Sequence, residues 1–245
     1  MFDAGGTLVR LDFEWISTML DELGVAVTPA DLRRCELRGR RMYDAVATRP
    51  LAPGETPEDA FASTTGPGHA YLAGMLEAAG VRHPVLEEAL ARMQVRQQPD
   101  TYLWGRPVEG AREALDALPA LGVRLCCVSN ADGRAERLLE LCGVRAGLEF
   151  VIDSHLVGFE KPDPRIFALA LARLGVEAER ALYVGDIRSV DEAGAHAARM
   201  HFVLIDPFGD YGANGSHRIA GIDELPTFVA RTFTTPAGEN HGRTR

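Results

Sequence analysis

Hydrophobic residues follow two different patterns along the chain. From about residue 13 to residue 100 they recur at helical spacing, beginning with Trp15 and Met19. Thr28 followed by Pro29 has the form of an N-cap with proline at the first helical position. The alternation that is typical of strands is not found in this segment, so the pattern predicts a block of helices.

After Pro107 the pattern changes to short apolar strands that alternate with helical segments. Strands are predicted at 123–128, 150–152, 181–184 and 202–205, and helices at 108–118, 135–141, 165–174 and 190–198. Residues 1–9 fit the end of a further strand and a tight turn. Such alternation is typical of a parallel sheet with helices on both faces. We therefore predict an α/β fold, a doubly wound parallel sheet with a Rossmann-like core.

The length of 245 residues is enough for one large core and a smaller domain. We predict a core from 1–12 and 103–231, a helical cap from 13–102 and a disordered polar tail from 232–245. Only two residues precede Asp3, whereas a central strand usually has about 5–6 residues. We therefore expect the natural protein to extend upstream by several apolar residues.

Composition excludes several classes of protein. No apolar run approaches the roughly 20 residues of a membrane helix. We also expect no signal peptide, because Asp3 lies close to the N-terminus and no basic region precedes an apolar one. The net charge is −9 and no basic stripe is present, which argues against a nucleic-acid partner. The four cysteines form no CxxC pair, and two of them lie in a predicted strand as small buried hydrophobes. We expect a cytoplasmic protein, a monomer or homodimer, that acts on a small molecule.

Polar residues follow the predicted strands. Asp3, Ser129, Lys161 and Asp186 each come after an apolar run, and Asp191 follows five residues after Asp186. Because ligands of parallel α/β sheets bind beyond the carboxyl ends of the strands, we expect these side chains to meet. Lys161 is the only lysine among 26 basic residues, which suggests that a compact point charge is needed at that position.

The chemistry of these groups suits phosphoryl transfer. A carboxylate can attack phosphorus and so divide one difficult step into two. A magnesium ion, which prefers oxygen ligands, offsets the repulsion between the two anions, and Asp3 and Asp186 could share it. Lys161 supplies positive charge to the transferring group, and Ser129 with nearby backbone N–H groups can hold phosphate oxygens.

In their order along the chain, these motifs resemble those of the haloacid dehalogenase-like hydrolases. The matching segments are 2–8 (FDAGGTL), 128–130 (VSN), 160–167 (EKPDPRIF) and 184–186 (VGD), the last followed by Asp191 and Gly194-Ala195. The helical segment between the first two motifs is placed like the helical cap of that family. The resemblance implies that Asp3 is the nucleophile, with Mg²⁺ as the cofactor and a small phosphate monoester as the substrate.

The resemblance also assigns the other site residues. It implies catalytic roles for Lys161 and Ser129, and Mg²⁺ ligands at Asp3, the carbonyl of Gly5 and Asp186. Asp191 is expected to be the fourth residue of the metal site, a supporting acid near the metal or near Lys161. We assign binding of the substrate phosphate to five residues: Gly6, Thr7, Ser129, Asn130 and Lys161.

One position departs from the family pattern. Phosphatases of the family carry a second aspartate, a general acid and base, two residues after the nucleophile, and this chain has Gly5 there. General acid–base catalysis is typically worth about 10²–10⁴-fold in rate. Either the leaving group needs little protonation, or another residue such as Asp12, Glu14 or a cap residue donates the proton, or activity is low.

Two alternative functions follow from this departure. A 2-haloacid dehalogenase, which works without metal, needs no acid because halide leaves without a proton, but that enzyme type usually lacks the acid that Asp186 represents. A weakly active or non-catalytic phosphate-binding protein would keep the pocket without turnover. A phosphonatase-like enzyme, which uses a cap lysine, is excluded because residues 13–102 contain no lysine.

Five arginines lie on one predicted helix of the cap. They are Arg33, Arg34, Arg38, Arg40 and Arg41. The simpler interpretation is a solvated face of the helix. The sharper one is that one or two of them meet an anionic substrate.

Overall fold

The structure is a computed structural model that describes residues 1–50, 66–97, 101–209, 211–212 and 215–233. Its strands are β1 (Val9–Arg10), β2 (Arg106–Pro107), β3 (Cys127–Ser129), β4 (Val151–Asp153), β5 (Leu182–Gly185), β6 (His201–Ile205) and β7 (His217–Ile219). The α-helices are Phe13–Glu22, Pro29–Ala47, Pro67–Ala78, Val85–Arg96, Ala111–Ala117, Ala135–Leu141, Ser154–Val157, Pro164–Leu174, Ala193–Ala197 and Leu225–Thr232. Short 3₁₀-helices cover Leu118–Leu121, Ala178–Arg180 and Ile222–Glu224, and a π-helical turn covers Arg188–Glu192. None of these helices is long and apolar enough to cross a membrane.

Residue 2 joins two groups of parallel strands. β3 pairs with β4, and β6 pairs with both β5 and β7, in each case in parallel. Phe2 forms parallel bridges with Cys127 on β3 and with Val184 on β5. The order across the sheet is therefore β4, β3, Phe2, β5, β6, β7. The predicted α/β fold with a parallel sheet is confirmed.

Helices cover both faces of this sheet. Neighbouring strand residues point to opposite faces, and Cys126 and Cys127 accordingly belong to different hydrophobic clusters. Cys126 packs in the cluster that contains the buried side of the helix Pro164–Leu174, and Cys127 in the one that contains Ala111–Ala117. Both cysteines are buried as small hydrophobes, as the sequence predicts.

The helices between residues 13 and 97 share a hydrophobic cluster that also includes Leu103, Ile187 and Val190. We call the four helices Phe13–Glu22, Pro29–Ala47, Pro67–Ala78 and Val85–Arg96 the helical block. Ile16, Leu32 and Met75 are fully buried in its cluster. Thr28 caps the second helix, because its hydroxyl accepts a hydrogen bond from the Asp31 N–H at 3.1 Å. The helix start predicted at Thr28-Pro29 is confirmed.

A two-stranded antiparallel pair lies where the helical block joins the sheet domain. β1 pairs with β2, with Val9 opposite Pro107. Buried Asp12 caps the first helix and forms ion pairs with Arg96 at 2.9 Å and Arg106 at 3.2 Å. One carboxylate therefore ties together the two connections between the helical block and the sheet.

Several predicted boundaries differ from the observed ones. The strand predicted at 123–128 is observed only over Cys127–Ser129, and Arg124 lies before it, where it pairs with Glu149. The helix predicted at 190–198 begins as the π-helical turn. β7 and the helix Leu225–Thr232 were not predicted. The disordered tail predicted at 232–245 falls mostly outside the described residues.

Candidate active site

The polar residues that follow the strands meet at one edge of the sheet. Asp3 follows the bridging residue Phe2, Ser129 ends β3, and Asp186 follows β5. The exposed fractions are 8% for Asp3, 4% for Ser129, 2% for Lys161, 1% for Asp186 and 0% for Asp191. So many buried charged groups are expected only where they pair with one another or serve a function.

Lys161 is the centre of the hydrogen-bond network. Its ammonium donates to Asp3 Oδ1 at 2.6 Å, to Asp191 Oδ1 at 2.8 Å and to the Tyr183 hydroxyl at 2.8 Å. Burial alone would lower the pKa of Lys161, but the carboxylates of Asp191 and Asp3 raise it above its ordinary value. Lys161 therefore stays charged, and all three of its N–H groups have acceptors.

Three carboxylates surround one small space. One oxygen each of Asp3, Asp186 and Asp191 can be chosen so that all lie within 4.8 Å of one another. Burial raises the pKa of Asp3 to about 6, against the opposing effect of Lys161. Burial also raises the pKa of Asp186 well above its ordinary value, although Arg40 opposes it. A further positive charge at this place would stabilise the ionised carboxylates.

The atoms present fit a small cation with oxygen ligands. Within the described residues, Asp186 Oδ1 is buried and has no hydrogen-bond partner. A Cβ atom at Gly6 would lie 2.2 Å from Asp186 Oδ2, so only glycine leaves room for that carboxylate. Asp191 is different, because Oδ1 accepts from Lys161 and Oδ2 accepts from the N–H groups of Asp186 and Ile187, both at 3.0 Å. Asp191 is thus placed to support the loop of Asp186.

Comparisons with known proteins assign the chain to a family. The model of the haloacid dehalogenase-like hydrolase family matches residues 1–199. The chain belongs to this family. It is 43% identical over 104 residues to the haloacid dehalogenase-like hydrolase domain-containing protein 3 of Mus musculus, covering 42% of this chain and 41% of that protein. It is 37% identical over 163 residues to a phosphoglycolate phosphatase of Rhodospirillum rubrum, covering 63% and 65% of the two chains.

A solved structure shares the fold of this hydrolase. A structure described as a dehalogenase matches 94% of this chain and 95% of its own, with a TM-score of 0.60 and 22% sequence identity. The chain spans about half the length of the first curated relatives it matches. The predicted family membership is confirmed.

The other predicted site residues differ in whether their polar side-chain atoms already have hydrogen-bond partners. The Asn130 side chain donates to the Lys161 carbonyl and accepts from the Lys161 N–H, both at 2.8 Å, so it positions the lysine. Direct contact of Asn130 with substrate stays a prediction. The buried Thr7 hydroxyl has no partner within the described part of the chain, and the Ser129 hydroxyl has only a long contact of 3.5 Å with the Asn130 carbonyl. Both hydroxyls therefore have hydrogen-bonding capacity left for a ligand.

Neither acidic residue near Gly5 in sequence is suited to replace the family's general acid. Asp12 is bound by two arginines and caps a helix. Glu14 is exposed, and its hydrogen bond with Arg10 lowers the pKa of that carboxyl to about 2. A Cβ atom at Gly5 would lie 3.5 Å from the Trp104 ring, an ordinary contact distance. The position can therefore hold a Cβ atom without a close contact.

Sequence reasoning missed two residues that touch this site. Tyr183 lies in β5, and its hydroxyl accepts from Lys161 and donates to the Val128 carbonyl at 2.8 Å. Because the residues around Tyr183 in its strand are apolar, the sequence pattern indicated a core residue and not a contact of Lys161. Arg40 was noted only as one of five cap arginines, and it is the buried one, with Nε 3.1 Å from Asp186 Oδ2. No sequence signal distinguishes it from its neighbours except its place in the helical period.

Proposed function

We propose that this hydrolase removes phosphate from small phosphate monoesters, with Asp3 as the nucleophile and Mg²⁺ as the cofactor. The proposal is carried by one observation: Lys161 Nζ lies 2.6 Å from Asp3 Oδ1, beside a group of three carboxylates. The phosphoglycolate phosphatase of Rhodospirillum rubrum, with 37% identity, supports the same class of reaction.

The balance of charge supports the need for a divalent cation. When all three are ionised, Asp3, Asp186 and Asp191 bring three negative charges, whereas Lys161 and Arg40 bring two positive ones. A phosphate dianion entering such a site would meet net repulsion. Mg²⁺ would neutralise charge on the carboxylates and on the phosphoryl oxygens. Asp3, Asp186 and the carbonyl of Gly5 would hold it, with Asp191 in support.

The residues of the chain carry out two displacements at phosphorus. In the first, a carboxylate oxygen of Asp3 attacks phosphorus, and the bond from phosphorus to the ester oxygen breaks with its electron pair on the leaving group. In the second, water attacks the phosphorus of the aspartyl-phosphate, which releases phosphate and restores Asp3. Lys161 neutralises charge on the transferring group, and the hydroxyls of Ser129 and Thr7 bind its oxygens.

Gly5 makes the rate depend on the leaving group. Since residue 5 brings no acid, the leaving oxygen takes its proton from water, and esters of weakly acidic alcohols should react slowly. Changing Gly5→Asp is expected to raise kcat/KM for an alkyl phosphate by at least about 10-fold and to change it less for p-nitrophenyl phosphate, whose leaving group needs no proton. Steady-state kinetics on both esters measure this.

The control for that prediction is Gly5→Asn, which has the same size but donates no carboxyl proton. It should not reproduce the gain on the alkyl ester. Equal gains for the two variants, or no gain for either, would show that protonation of the leaving group does not limit the reaction.

Removal of metal tests the cofactor. Dialysis against EDTA is expected to lower kcat/KM for phosphate esters at least about 100-fold, because Lys161 and Arg40 alone leave the site negatively charged. Adding Mg²⁺ back should restore the rate, and Asp186→Asn should weaken that restoration. Hydrolysis that persists unchanged in EDTA would contradict the role of the cation.

A metal-independent dehalogenase is the second candidate. Two observations favour it: Gly5 removes an acid that halide departure does not need, and Arg40 places a permanent positive charge 3.1 Å from Asp186. Incubation with a 2-haloacid in EDTA, with release of halide as the readout, separates the candidates. Binding of phosphate without turnover of either substrate class would favour the non-catalytic alternative.

A further inference from the structure

Arg40 is the member of its arginine cluster that reaches the catalytic carboxylates. Arg33, Arg34, Arg38 and Arg41 are exposed. Arg40 is buried, and its Nε lies 3.1 Å from Asp186 Oδ2. Arg40 belongs to the helix Pro29–Ala47 of the helical block. Its guanidinium therefore reaches from that helix to a carboxylate of the sheet domain.

Other groups hold Arg40 in this position. Its guanidinium donates to the Ile205 carbonyl at 3.3 Å and lies 3.5 Å from Glu36 Oε2. Glu36 is itself buried and accepts a hydrogen bond of 2.5 Å from the Tyr71 hydroxyl. The guanidinium therefore keeps two polar neighbours besides Asp186, and it can remain buried if the Asp186 contact is lost.

The same helix is attached to the segment that follows Asp186. Asp44 accepts from the Ser189 N–H at 2.9 Å and from the Tyr211 hydroxyl at 3.2 Å. The helix is thus fixed next to Asp186 by contacts that do not involve Arg40. Loss of the Arg40–Asp186 contact alone does not require the helix to leave.

Buried ion pairs contribute little net stability, because desolvation offsets much of the attraction. The pair of Arg40 with Asp186 therefore calls for a functional explanation. Two cations on one buried carboxylate repel each other strongly, since charges a few ångströms apart in a protein interact far more than in water. A divalent ion on Asp186 and the guanidinium at 3.1 Å from the same carboxylate work against each other.

We propose that Arg40 is a positioning residue that acts as a displaceable counter-ion for Asp186. In the absence of the divalent ion, Arg40 is the cation that contacts the Asp186 carboxylate and holds it in place. The ion must displace this contact when it binds, so Arg40 sets the cation affinity of the site. This inference rests on the proposed function, in which Asp186 holds Mg²⁺.

Calorimetric titration of the full chain with MgCl₂ tests the inference, at pH 8.5 so that protons compete less. Arg40→Met is expected to bind Mg²⁺ at least about 10-fold more tightly than the wild type, because the competing charge is gone. Arg40→Lys, which keeps the charge, should stay within about threefold of the wild type. Arg38→Met, an exposed arginine on the same helix, is the matched control and should leave the affinity unchanged.

Each outcome decides the question. If the wild type binds Mg²⁺ and Arg40→Met binds it no more tightly, Arg40 does not compete with the ion. The phosphatase proposal would still stand. Absence of Mg²⁺ binding in both proteins overturns the competition and the metal-dependent function together. If thermal unfolding shows that the Met variant does not fold, Arg40→Gln, which is polar, gives the same comparison.

Discussion

Replacement of Asp3 by asparagine is expected to lower kcat for phosphate ester hydrolysis by at least about 10³-fold. An amide oxygen cannot displace the leaving group, and removal of a nucleophile is among the most damaging single changes to an enzyme. The change preserves the shape of the side chain and one acceptor for Lys161, which lies 2.6 Å away. Steady-state kinetics with and without Mg²⁺ measure the effect.

The stability of the same variant separates chemistry from folding. Burial raises the pKa of Asp3 from 3.8 to about 6, so the folded protein binds this proton more tightly than the unfolded chain does. The Asp3 contribution to the free energy of unfolding therefore falls as pH rises between those two values. The neutral asparagine lacks that loss, and Lys161 keeps Asp191 as its carboxylate partner at 2.8 Å, so the Tm of the variant at pH 7 should not fall below that of the wild type. Asp116→Asn, on the exposed side of Ala111–Ala117, should leave activity and Tm unchanged.

A large Tm loss in Asp3→Asn would mean that the carboxylate is mainly structural. Activity that survives within about 10-fold would show that another group attacks the substrate. Either result would contradict the role given to Asp3.

Replacement of Lys161 is expected to damage both activity and stability. Lys161→Met leaves Asp3 and Asp191 as buried carboxylates without their shared cation, and breaking a buried pair costs about 3–5 kcal/mol in the free energy of unfolding. Loss of its charge at the transferring phosphoryl group should lower kcat/KM by at least about 10³-fold. Denaturant unfolding and steady-state kinetics measure the two effects.

Lys161→Arg is the more informative variant, because it keeps the charge. The ammonium directs its three N–H groups from one atom to Asp3, Asp191 and Tyr183. A planar guanidinium is larger and spreads its donors over three nitrogens, so it cannot reproduce these contacts in a space that is 2% exposed. We expect a loss of at least about 100-fold in kcat/KM. Arg165→Lys, at an exposed neighbouring position, should behave like the wild type; near-normal activity of Lys161→Arg would show that charge alone suffices.

The sequence by itself predicted most of the parallel sheet and the polar residues that meet at its edge. Apolar runs at 150–152, 181–184 and 202–205 correspond closely to observed strands, because a strand buried on both faces must be continuously apolar. Parallel strands point their carboxyl ends the same way, so polar residues that follow them must converge. Lys161 could also be recognised from the sequence alone, because arginine occupies all the other Lys or Arg positions.

Contacts between distant segments were decided only by the tertiary structure. A helical period can place Arg40 on the same face as Leu32, but it cannot show that this face meets Asp186. The hydroxyl of Tyr183 was hidden because an aromatic residue in a strand pattern is usually core. The β1–β2 pair joins segments about 97 residues apart, and strands of two residues leave no periodic signal. The strand ends could be predicted from the sequence because they depend on local burial. These contacts could not, because they depend on how the helical block packs on the sheet.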